Sequence, residues 1–257
     1  MNIISIGILF NSFVTAIVSL TALALTLFLW QRRHELDESM QAYTWFWFST
    51  MLVWGNTSLR YFWVSQGIVG GYIHVFDVVV QAGVFASGPT LFYYLGLRVL
   101  NNRRLSIISA WISVGLGALA IWLAALPNGN PVRDISYFSA DSTVNPASFM
   151  IFSAQAAIIF VLLVYDIARR WHDWRRHGIQ KQLYQAAYSF GVVIYLGLGS
   201  IDESKMLTDW PLVVFRMLYA GGFLLVYLVI TLDEKSREQN LIRSSDLPIS
   251  YGNAPSA

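Results

Sequence analysis

The 257-residue sequence contains no cysteine, which excludes disulfides, thiolate nucleophiles and cysteine-ligated metals. Charge is scarce too: 12% of residues are Asp, Glu, Lys or Arg, against roughly 25% in an average soluble domain. Of the four histidines, His34, His74, His172 and His177, only His74 falls in an apolar stretch, so paired imidazoles cannot hold a haem between two helices. No H-E-x-x-H, histidine-rich box or paired-carboxylate motif occurs, which argues against a metalloprotease, a desaturase or a di-iron oxidase. The glycine fingerprints of acyl hydrolases, P-loop proteins and dinucleotide binders are missing as well. These absences predict a non-enzymatic protein with no metal and no cofactor. A formal net charge of +2 offers nothing to nucleic acid.

What is present is apolar. Hydrophobic residues make up 56% of the chain, mean hydropathy is +0.51, and aromatics reach 15% with ten Trp. That composition predicts an all-α polytopic membrane protein with rings anchoring its helices at the two interfaces. A spanning helix needs roughly 20 mainly apolar residues. Seven stretches qualify, at about 3–30, 42–64, 72–98, 105–126, 147–168, 182–200 and 211–232. The first has no positive leader and is too long for a signal-peptide core, so it reads as a retained helix.

Positive charge sets the orientation. With the N-terminus outside, 13 of the 17 Lys and Arg fall in cytoplasmic segments, from Arg32 and Arg33 through Arg175 and Arg176 to Arg243. Only Arg133 and Lys205 lie in outer loops, while Arg60 and Arg216 lie within spans. The positive-inside rule therefore predicts seven spans, N-terminus out and C-terminus in. Segment 127–146, bounded by Pro-Asn and Asn-Pro turn signals, is the longest outer loop and a candidate lid. Residues 233–257 read as a short polar tail without structure of its own.

Tyr72–Leu100 is the span around which the rest is arranged. His74, Asp77 and Gln81 follow one another at i, i+3 and i+7, and Gly88 at i+14 lies on the same helical stripe. A carboxylate inside a bilayer is costly and faces protein or a wet cavity. Arg60 near the outer end of the second span and Arg216 near the outer end of the seventh fall at comparable depth. Asn11, Asn56 and Asp202-Glu203 lie on the same side. The expected arrangement is Asp77 bridging Arg60 and Arg216. It would serve either as a ligand site with spare guanidinium donors for an anion or lipid headgroup, or as a structural clamp. His74 would add pH sensitivity.

Two further features are candidates. Gly88-Pro89 interrupts the third span and reads as a hinge or a static bend. The segment 168–182 interleaves Trp171 and Trp174 with Arg175 and Arg176, as either an interfacial anchor or a docking surface for anionic lipid or a protein partner. Seven spans invite comparison with microbial rhodopsins, but the last span has no lysine before Lys235, which leaves no retinal Schiff base.

Residues 25–62 run from an apolar span through a charged turn into a Trp-rich span. Residues 86–105, ASGPTLFYYLGLRVLNNRRL, carry a Gly-Pro, aromatic-Tyr, Leu-Arg, basic-turn pattern. Both stretches resemble the seven-helix sensor modules of bacterial histidine kinases and related membrane regulators. The resemblance covers about a quarter of the chain and implies a receptor or sensor in the bacterial inner membrane. Because only a short tail follows the last span here, it also implies signalling through a partner protein. Two other classes stay open at this point. One is a small-solute or ion transporter using Asp77 and His74; the other is an accessory subunit of a larger membrane complex.

Overall fold

The computed structural model of the chain describes residues 3–68, 71–126, 138, 145–203, 207 and 209–245. Among them are seven helices and no strand: α1 (Ile3–Gln31), α2 (Glu38–Ser65), α3 (Gly71–Leu95), α4 (Arg103–Ala125), α5 (Pro146–His177), α6 (Gln180–Glu203) and α7 (Asp209–Ser245). A π-helical turn, Gly96–Leu100, ends α3.

Helix ends fall where the sequence supplies caps. The Asp37 side chain accepts the Met40 N–H at 2.9 Å and opens α2. Asn102 accepts from the N–H groups of Arg104 and Leu105 to open α4. Asn145 does the same for α5 through Ala147, with Pro146 in the first turn, where its missing N–H costs nothing. Gly178, at φ 68, closes α5 in the left-handed conformation that glycine adopts without a Cβ clash.

Consecutive helices pack side by side, α1 closes on α7, and α3 also reaches α5. Five segments are long and apolar enough to cross a membrane: Ile6–Gln31, His74–Leu100, Arg103–Ala125, Pro146–His177 and Asp209–Asp233. Their outer faces support that reading. Trp111 is 69% exposed, Met150 71% and Val161 65%, on a surface dense with further exposed Leu, Ile and Phe. Water tolerates apolar patches of only a few hundred Å² on a monomer. A bilayer solvates such a surface without penalty.

α2 and α6 are long enough, at 28 and 24 residues, but too polar by hydropathy to join the five. The cause in α2 is aromatic and hydroxyl content. Tyr43, Phe46, Trp47, Trp54 and Tyr61 turn inward and are buried. Trp47 meets Phe223 of α7 with ring centroids 4.7 Å apart, and Trp54 meets Tyr219 at 4.6 Å. Tyr195 of α6 joins both sets. Tyr and Trp score as polar because of one tip, yet bury large apolar bodies. The low hydropathy of α2 thus reflects aromatics that it buries in the core, where α6 adds Tyr188, Val192 and Leu196.

Two boundaries differ from the expected ones. α5 stays helical to His177, so the segment expected to be a loop at 168–182 is mostly helix, and the turn is Gly178-Ile179. α7 continues to Ser245, so the first part of the expected tail prolongs the last helix. Of the expected lid at 127–146, all but Phe138, Asn145 and Pro146 lies outside the described residues.

Candidate functional site

At one end of the bundle, four helices bring charge together. Arg60 of α2 donates from Nη1 to Asp77 Oδ1 of α3, and both side chains are buried. Arg216 of α7, 2% exposed, donates from Nη2 to Asp202 Oδ1 of α6 at 3.1 Å and from Nε to Oδ2 at 3.3 Å. Its Nη1 also reaches Asn11 Oδ1 of α1 at 3.1 Å, while Asn11 Nδ2 donates to the Phe138 carbonyl at 2.6 Å. The expected single carboxylate between two guanidiniums is therefore replaced by two pairs, each Arg with its own acid. Tyr61 connects them: Arg60 lies over its ring at 5.0 Å and Arg216 at 5.1 Å.

Arg60, Asp77, Gln81, Asp202 and Arg216 all line one cavity between these helices, with Trp54, Phe152, Tyr195 and Tyr219 as aromatic walls. Its volume is ≈ 80 Å³, on a measure in which one water needs about 10–15 Å³. Several of its lining groups are incompletely bonded, the buried Trp54 Nε1–H donor among them. Asp77, 3% exposed, leaves Oδ2 without a hydrogen bond. Gln81, 6% exposed, makes no side-chain hydrogen bond among the described residues. Native proteins seldom leave buried polar atoms orphaned, and such atoms point to strain, an ion, a water or a ligand.

Of the other sequence candidates, His74 is half-buried and does not line the cavity. Asn56 bonds back to the Leu52 carbonyl at 2.8 Å and takes no part. Gly88 is a seat for two helices: a Cβ there would stand 2.8 Å from both Gln155 Oε1 of α5 and Ser113 Oγ of α4. Those two side chains bond each other at 2.8 Å. Pro89 lies inside α3, which continues through it to Leu95. Near the end of α5, Trp171 and Trp174 rings lie 4.9 Å apart and Arg175 covers Trp171 at 5.4 Å, with Arg176 in the same turn. These four form a basic-aromatic helix end remote in sequence from the charge cluster.

A second buried polar cluster, at the opposite end of the bundle, escaped the sequence reading. Asp166 of α5 accepts from Arg170 Nε at 2.8 Å and from Ser189 Oγ of α6 at 2.7 Å. Arg170 also reaches Gln182 at 3.0 Å and Gln185. Beside it the Tyr188 hydroxyl donates to Asp233 Oδ2 at 2.7 Å, and the Tyr43 hydroxyl to the Tyr188 carbonyl at 3.2 Å. The i, i+4 spacing of Asp166 and Arg170 at the end of an apolar run was the available signal. The basic character of the surrounding segment concealed it.

The chain matches no protein-family model, no curated protein and no solved structure. The site rests on its own geometry.

Proposed function

We propose that this is a seven-span receptor or sensor-type protein of the bacterial inner membrane, with its N-terminus outside and its C-terminus in the cytoplasm. It recognises a small polar ligand in the Arg60–Asp77/Arg216–Asp202 cavity, which opens toward the outer leaflet. It passes the change to a partner protein at the Trp171–Arg176 helix end. One observation carries the reading: a cavity between helices is walled by ion pairs, yet leaves Oδ2 of buried Asp77 without a hydrogen bond. A pure clamp has no reason to leave acceptors unsatisfied beside empty space. The position of His74 away from the cavity wall favours recognition over a coupled Asp77/His74 transport site. Length supports α2 and α6 as spans, since 24 residues of helix cover about 36 Å at 1.5 Å per residue.

The lack of cysteine makes the test clean, because any introduced thiol is the sole one. In sealed cells, a membrane-impermeant maleimide should modify Gln81→Cys in the cavity and Ile68→Cys in the α2–α3 turn. Ile179→Cys in the α5–α6 turn should react only after permeabilisation. The opposite pattern at the two turns overturns the orientation, and an inert Gln81→Cys overturns the open cavity.

A further inference from the structure

We infer that the ligand is a small zwitterion, held with its ammonium end at Asp77 and its anionic end at Arg216. The inference rests on reading the cavity as an outward-facing ligand site, and it follows from how charge is distributed around it. Among the described residues the lining carries two guanidiniums and two carboxylates, for a net charge of zero. A net anion entering this low-dielectric space would meet Asp77 and Asp202, and a net cation would meet Arg60 and Arg216. Each would pay a desolvation cost that no surplus of opposite charge repays. A dipolar ion avoids both penalties, because the lining is neutral in sum but divided in space. One pair joins α2 to α3 and the other joins α6 to α7.

The polar atoms give the direction. Asp77 Oδ2 is a buried acceptor without a donor, and an ammonium supplies up to three N–H groups. Gln81, one helical turn further along α3, offers a second acceptor in its amide oxygen. Trp54 lines the same space with a buried Nε1–H that has no acceptor, and its ring lies under Arg216 at 5.8 Å, so it offers a donor to the anionic end. An amino acid and the ethanolamine phosphate headgroup of a lipid share this chemistry.

The test uses the full chain in a neutral detergent, with thermal unfolding followed against glycine and glycerophosphoethanolamine. Ethylammonium chloride and sodium acetate at equal ionic strength serve as single-charge controls. Binding to the folded state raises Tm with ligand concentration. At least one zwitterion should raise Tm in a saturable manner while the controls do not. A response to glycine identifies a free solute as the source, and a response to the headgroup probe alone identifies a lipid. Asp77→Asn should weaken the apparent affinity by about 10- to 100-fold, the worth of one charged hydrogen bond. Gln81→Leu leaves both ion pairs intact and should weaken it several-fold, which covers the case in which Asp77→Asn fails to fold. No shift with either zwitterion, or an equal shift from either single-charge control, overturns the inference. If Gln81→Cys is still modified from outside, the open cavity of the receptor reading survives that result.

Discussion

At one end of the bundle Asp166 uses both carboxylate oxygens, one on Arg170 and one on Ser189, and the tyrosine–Asp233 bond lies beside it. At the other end Asp77 uses only Oδ1 and faces a cavity. The two carboxylates are equally buried, at 1% and 3% exposure, and each has an arginine partner. Burial and pairing therefore do not separate a structural clamp from a binding site. What separates them is whether every lone pair is used and whether there is room beside the one that is not. A fully satisfied network rigidifies the bundle. A half-satisfied one, on the reading proposed above, holds a polar atom in reserve for an incoming donor.

The sharpest way to break this comparison is Asp166→Ala. It takes a buried carboxylate away from a half-buried guanidinium and should cost about 3 kcal/mol, the low end for a buried pair, read as a large drop in Tm in detergent. A loss below about 1 kcal/mol, the range of a surface ion pair, would mean that the Asp166 end is no clamp.

Gly88→Ala tests the α3 seat between the two ends. Its Cβ would be forced against the Ser113–Gln155 bond, with a cost of about 1–3 kcal/mol from overpacking. A neutral outcome would show that α4 and α5 yield readily and that Gly88-Pro89 is a soft hinge after all.

Asp77→Asn keeps an acceptor facing Arg60 and removes an orphaned anionic oxygen. The loss should be about 1–2 kcal/mol, smaller than at Asp166. If the unfolding midpoint falls as far as in Asp166→Ala, the distinction between clamp and site collapses.

Asp37 provides the smallest effect, outside the spans. Partial burial works to raise its pKa. Bonds from the Ser39 hydroxyl and the Met40 N–H, together with the nearby Arg98 charge, outweigh burial and leave the pKa below the ordinary 3.8. The folded-state value is depressed, so its contribution is complete above the unfolded value and is lost as pH falls through the folded one. Asp37→Ala should cost about 1 kcal/mol near neutral pH, the usual worth of an N-cap. The difference in Tm between the two proteins should close in acid below that range. A gap that persists there would show that the cap acts through something other than the carboxylate.

Much of this was legible from the chain. Polar residues at i, i+3 and i+7 on the third helix pointed Asp77 and Gln81 inward, and both line the cavity. The depth of Arg60 and Arg216, counted from their helix ends, placed them at the same level. The pairing was not legible. Asp202 lies in a segment rich in Gly, Ser and acid, and nothing local says that it turns toward Arg216 fourteen residues later. His74 shares the stripe with Asp77 yet misses the cavity, because a helical face spans more angle than a cavity does. Asp166 was hidden by its neighbours: four arginines within ten residues read as an interfacial signal before they read as a buried pair.

The sequence by itself determined the class of molecule. Long apolar runs broken by capped polar turns suit membrane-spanning helices, since backbone groups in a bilayer must satisfy one another locally, and five helices are long and apolar enough to cross one. That is a one-dimensional property, written in composition and period. Which acid holds which arginine, and which carboxylate keeps an oxygen in reserve, depended on how seven helices rotate and lean. Those angles are set by aromatic packing among Trp47, Trp54, Tyr195, Tyr219 and Phe223, residues far apart in the chain. Only the tertiary structure brings them together, and with them the difference between the two ends of the bundle.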